Sequence, residues 1–140
     1  MLLLLSLIIL VATGCAKKAE AKSNNIDVDL TALSSTMVYA EVYSIVTNPD
    51  QYVGKTIKMS GPYAVDYYDQ TGLYYHFVLI EDATACCAQG LEFRRNGEYS
   101  YPHDYPPEQT KIEVSGVFEH YEELGQTYYY LAVDDVIVLK

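Results

Sequence analysis

Two adjacent thiols, Cys86 and Cys87, have the widest chemical range of any residues in this chain. Three chemistries are open to them. The first is a vicinal disulfide. Neighbouring side chains along an extended strand point to opposite faces, so joining them closes a strained ring far from relaxed disulfide geometry. Such strain raises the reduction potential and suits a redox switch better than a staple. The second is a metal site, since two thiolates and an imidazole suit Zn²⁺ or Cu⁺. His76 precedes the pair most closely in the chain, His103 and His120 lie further on, and Glu81, Asp82 and Glu92 flank it. Adjacent cysteines lack the C-x₂-C spacing of structural zinc sites, and no ligand pair at a recognised spacing completes the set. The third is inert: two small, buried, reduced side chains at a turn. The residues leave all three open. Metal ligation by Cys86, Cys87 and His76 and redox chemistry at Cys86 and Cys87 are carried forward beside the cofactor-free reading.

The third cysteine is placed for different chemistry. Leu2 to Ala12 form an apolar run interrupted only by Ser6. It is shorter than the roughly 20 residues that a helix needs to cross ~30 Å of hydrocarbon. Its length fits the apolar core of a secretion signal, ~7–15 residues. Ala12-Thr13-Gly14-Cys15 follows directly and resembles a lipobox. That resemblance implies cleavage after Gly14 and a diacylglyceryl group on Cys15. Each buried methylene contributes ~0.8 kcal/mol, and about two acyl chains are needed for stable anchoring. The expectation is a membrane-anchored protein on the extracytoplasmic face, with residues 1–14 removed. Ala16, rather than aspartate, is compatible with an outer-membrane destination where the host has one. The basic residues that usually open such a signal are missing, since Met1 runs directly into leucine.

Residues 15–35 read as the lipidated cysteine and a tether, because Ala16 to Asn25 (AKKAEAKSNN) is small, charged and polar without an apolar period. The formal net charge is -10 and the apolar leader carries none of it. That argues against nucleic acid, whose binding rests on Lys and Arg neutralising phosphates. It also argues against broad contact with an anionic membrane surface. The partners expected are the membrane, through lipid, and another protein of the envelope.

The remaining segment, 36–140, must position these groups. Fifteen tyrosines and no tryptophan lean it towards strands. Ser35 or Thr36 can cap a helix over Met37–Thr47, where Val38, Val42, Ile45 and Val46 recur at helical spacing and Asn48-Pro49 stops it. Alternation predicts a strand from Ile57 to Val65, bent at Gly61-Pro62. Further strands are expected over Tyr74–Ile80, Leu91–Phe93, Ile112–Phe118 with a bend at Gly116, and Tyr128–Val138. The predicted fold is mainly β, a small five-stranded OB-like barrel with one N-terminal helix. Asn96 to Gln109 reads as a long loop carrying Tyr99, Tyr101 and Tyr105. These rings offer an aromatic ligand-binding face, or they serve as core material in place of the missing tryptophan. Tyr128-Tyr129-Tyr130 must alternate between faces.

Asn48-Pro49-Asp50-Gln51-Tyr52-Val53-Gly54-Lys55, followed by Thr56 to Gly61, resembles the NPxxYxGK turn that leads into the first strand of OB-like domains in bacterial secreted proteins. Ala83 to Phe93 (ATACCAQGLEF) is similar to a Cys-Cys segment of uncharacterised bacterial OB-fold-like lipoproteins. It is more distantly similar to extracytoplasmic domains of membrane proteins linked to zinc or metal homeostasis. The resemblance spans roughly residues 38–138. It implies an OB-like fold outside the cytoplasm and brings no biochemical role with it. The GxSxG, HExxH, P-loop and GxGxxG signatures are absent, so no enzyme is expected. The reading is a membrane-anchored, non-catalytic binding or accessory module of the cell envelope. Its alternative is a metal-binding (Zn or Cu) or redox-sensitive lipoprotein that uses Cys86 and Cys87.

Overall fold

A computed structural model describes residues 25–81 and 88–140. Six strands and one α-helix follow one another as β1 (Val28–Asp29), α1 (Ser35–Thr47), β2 (Thr56–Tyr68), β3 (Leu73–Glu81), β4 (Ala88–Arg95), β5 (Lys111–Glu123) and β6 (Gln126–Val138). They form one mixed sheet in the order β1-β2-β3-β4-β6-β5, and a further β2–β5 pairing closes five of the strands into a ring. Four of the ring's five contacts are antiparallel; β4 and β6 run parallel.

The ring closes because β2 serves two partners in succession. Thr56 to Pro62 pair with β5, and Tyr63 to Tyr68 pair with β3. The exchange falls at Gly61-Pro62, the bend expected from sequence. A side chain at Gly61 would collide with the carbonyl oxygen of Leu79, so only glycine allows the two strands to approach there. Gly116 does the same on β5, beside the register shift between Val114 and Gly116.

Alternation decides what fills the ring. Ile57, Met59 and Tyr63 of β2, Val78 of β3, Leu91 and Phe93 of β4, Ile112, Val114 and Phe118 of β5, and Leu131 and Val133 of β6 are all buried. Each such side chain contributes about 1.5–3 kcal/mol when removed from water. Helix α1 adds Val42 and Ile45, and packs against β3 and β4. Ser34 occupies its N-cap, one residue earlier than read from sequence, and its side chain makes no capping bond. The chain leaves α1 through a 3₁₀ turn, Pro49–Gln51. Tyr52, buried, bonds Glu41 and Ser44 of the helix at 2.9 Å each, and Gly54 takes φ +84° to turn the chain into β2.

Residues 26–35, read as the end of the tether, contain β1, which pairs with Ile57 and Lys58 of β2, and the buried Leu30. The short third strand expected over Leu91–Phe93 extends to Ala88–Arg95. Among the described residues no helix is long and apolar enough to cross a membrane.

An alanine at Gly116 would overlap the Ala132 carbonyl oxygen and crowd Val133. Gly116→Ala is expected to lower folding stability by about 1–3 kcal/mol. The urea midpoint should fall at unchanged m value, and an unaltered midpoint would show that β5 does not need the close approach.

Candidate functional site

Two aromatic-polar clusters lie on opposite sides of β3 and β4. The inner one surrounds His76. Its Nδ1 and the Tyr63 hydroxyl are 2.7 Å apart, and its ring stacks on Tyr105 with centroids 3.8 Å apart at 6°. Phe93 and Tyr101 flank it at 6.0 and 5.8 Å. Tyr63 is fully buried, so its hydroxyl needs this bond; an unmade one costs about 1–3 kcal/mol. Burial pushes His76 down to about 4, which keeps the imidazole neutral at ordinary pH.

This cluster absorbs much of what the sequence offered as a site. Tyr101 and Tyr105 of the long loop are half-buried and pack against His76, as core material would. Tyr99 remains exposed, with the Arg95 guanidinium 3.5 Å from its ring centre. Cys86 and Cys87 lie outside the described residues, as do Cys15 and the lipobox. Among the described residues, no group of three or more His, Cys, Asp or Glu side chains could hold a metal.

The outer cluster was not foreseen. Glu92 on β4 is only 8% exposed, although its neighbours Leu91 and Phe93 fill the interior from the other face. Arg94, two residues on and therefore on the same face, donates from Nε to Glu92 Oε1 at 2.8 Å. The Tyr121 hydroxyl donates to Oε2 at 3.0 Å. The Arg94 guanidinium lies 3.5 Å from the centre of the Tyr121 ring and 5.2 Å from that of Tyr130. Burial raises the Glu92 carboxyl above the ordinary carboxylate range, and the Arg94 and Tyr121 bonds oppose it by favouring the charged form. Burial, followed by the Glu92 carboxylate, pushes the Tyr121 hydroxyl well above the usual phenol value.

The β5–β6 hairpin reaches this face. Tyr75 on β3 donates to Glu123 Oε2 at 2.6 Å, and Tyr130 donates to Glu119 Oε2 at 2.8 Å. β4 and β6 pair only from Glu92↔Tyr130 to Arg95↔Val133, so their earlier residues part. The opening is a cleft of about 550 Å³. Phe77, Leu91 and Phe118 supply apolar wall, with Val46 of α1 and Pro49 of the turn that follows it. Tyr68, Tyr75, Tyr121, Tyr128 and Tyr129 supply rings, and Asp66, Glu92 and Glu123 the charge. A few polar groups on aromatic walls, at this volume, make a ligand-sized recess. The three consecutive tyrosines divide as alternation requires: Tyr129 stacks on Phe118 and donates to Asp50 at 2.9 Å, while Tyr128 and Tyr130 lie on the outer face with Tyr121.

Comparison with known protein families, with curated proteins and with solved structures returns no match to this chain.

His76 gives the site a pH signature. An imidazole pushed down to about 4 binds its proton less readily in the folded chain than in the unfolded one, whose value lies near 6.5. The unfolded state therefore takes up the extra proton, and stability present above pH 6.5 is lost as pH falls towards 4. Glu92 acts in the opposite direction, because its raised value favours the protonated folded form. Thermal unfolding followed between pH 7 and 4 should show a downward slope that His76→Gln largely removes. Equal slopes in the two proteins would sink the assignment.

Proposed function

We propose that this chain is a lipid-anchored, extracytoplasmic, non-catalytic binding module, with the cleft on the outer face of β3 and β4 as its binding face. The cleft is the observation that carries the reading. It is a recess of about 550 Å³, walled by tyrosines, on an otherwise closed ring. Its buried carboxylate, Glu92, is already engaged by Arg94 and Tyr121. That arrangement favours holding a ligand over moving a proton.

We read the ring as a small barrel of the OB-like kind. Five strands, sharp bends at Gly61 and Gly116 and closure by a strand with two partners support this. OB-like barrels bind on the face of their second and third strands and in the loops after their first and fourth. In this chain those are β3, β4, the Asp69–Gly72 turn and the tip of the β5–β6 hairpin. β3 and β4 line the cleft, with Asp66 and Tyr68 ahead of the turn and Glu123 and Thr127 beside the tip. Helix α1 precedes the ring, whereas the usual OB helix lies between the third and fourth strands, and here it supplies Val46 to one wall beside Pro49 of the following turn.

Anchoring rests on the apolar Leu2–Ala12 segment and the Ala12-Thr13-Gly14-Cys15 sequence. In a bacterial host, the native chain should be recovered in the membrane fraction with an N-terminal peptide that begins at lipid-modified Cys15. Cys15→Ala should leave an uncleaved chain without lipid, whereas globomycin, which blocks only the cleavage, should leave an uncleaved chain that carries the diacylglyceryl group. Identical processing of native and variant chains would overturn the anchor.

A further inference from the structure

Arg94 shows what kind of group this outer face accepts. Its planar cation rests on the Tyr121 ring at 3.5 Å and is held from the side by the Glu92 carboxylate at 2.8 Å. Guanidinium suits such a seat because it stacks flat and donates from its edge at once. The cleft beside it repeats both ingredients. Asp66 and Glu123 stand among Tyr68, Tyr75 and Tyr128, and neither carboxylate forms an ion pair with a described residue. Among the described residues lining the cleft, none is Lys or Arg. Arg94 reaches only the near side of this second seat, 6.0 Å from the centre of the Tyr75 ring, and Glu123 accepts from the Tyr75 hydroxyl at 2.6 Å. Among the described residues the seat thus lacks a cation in direct contact with its carboxylates, in a chain whose net charge is -10.

The strands at the cleft point to the form of the ligand. Residues 88–91 of β4 pair with β3 on one side only, and residues 126–129 of β6 pair with β5 on one side only. Each thus presents a strand edge with no ladder partner, a template for an extended chain. We propose that the cleft takes an extended, arginine-bearing peptide segment, its guanidinium seated on the cleft tyrosines and paired with Asp66 and Glu123. This rests on the cleft being the binding face and adds the class of its ligand.

The test uses the full lipidated chain in non-ionic detergent and follows the anisotropy of labelled peptides. One peptide alternates serine with arginine, a second replaces each arginine with lysine, and a third is serine and glycine only. The arginine peptide should bind most tightly, and raising salt should weaken it because screening shortens to ~10 Å at 0.1 M. An Asp66→Asn/Glu123→Gln double variant should weaken binding by about tenfold or more. Asp135→Asn, which removes an exposed carboxylate outside the cleft, should leave binding unchanged. Equal losses in the two variants would reduce the effect to general charge attraction and overturn the proposal. Equal binding of the uncharged peptide, lost in Tyr128→Ala, would overturn the arginine preference and leave the cleft as a binding face. No binding by any peptide would overturn the peptide ligand, while the anchoring of the chain stands on its separate test.

Discussion

The architecture depends on β2 being shared between two neighbours. Its first half completes a ladder with β5 and its second half a ladder with β3, so one strand closes the ring. Closure leaves the ring strands with few free edges. It also requires a sharp change of direction within a hydrogen-bonded strand. Gly61 allows that bend because the Leu79 carbonyl occupies the space a side chain would need, and the following Pro62 has no amide to withhold from the ladder. Core filling follows from the closure. The inward residues of five strands converge on a volume small enough to be packed by Tyr63, Phe93 and Phe118 with aliphatic neighbours.

The tyrosines then serve two purposes separated by the pleat. Those facing inward, Tyr63 and Tyr105, stack with His76 and with each other, and Phe93 lies tilted against both. Aromatic pairs of this kind contribute ~0.5–1.5 kcal/mol beyond their buried area. Those facing outward, Tyr75, Tyr121 and Tyr130, carry hydroxyls that donate to Glu123, Glu92 and Glu119. Carboxylates on an exposed hairpin would ordinarily be solvated. Here Glu119 accepts from Tyr130 across the hairpin itself, and Glu123 accepts from Tyr75 and so ties the hairpin to β3.

The cleft arises from the one contact that is incomplete. β4 and β6 share only a short parallel ladder, Glu92↔Tyr130 to Arg95↔Val133, and part where the hairpin rises. The Glu92–Arg94 pair sits at the point of parting. A charge as buried as Glu92 is tolerated only with a partner, and Arg94 supplies one while its guanidinium covers Tyr121. Glu92 thus stands at the end of the ladder and lines the recess, with Arg94 holding it from within the ladder.

Much of the architecture was legible along the chain, because period and punctuation are local. Val38, Val42 and Ile45 at helical spacing, Asn48-Pro49 at the stop, alternation from Ile57 to Val65, and the two glycine bends each depend on neighbours close in sequence. The outer site was not legible, because its parts lie far apart in the chain. Glu92 was visible only as a carboxylate near two cysteines; the Tyr121 that binds it is 29 residues away. The one local signal was the spacing of Glu92 and Arg94, which places them on the same face of a strand. His76 shows the same limit: a histidine on a strand can be ligand or core, and only the closing of β2 against β3 and the return of the long loop set Tyr63 and Tyr105 against it. By itself the sequence determined the helix, the five ring strands, their order and the net charge, since these follow from local periodicity and composition; β1, two residues long, lay in the stretch read as tether. Only the tertiary structure decided which face each tyrosine serves and where the acidic groups converge, since those depend on which distant strands pair and where their pairing stops.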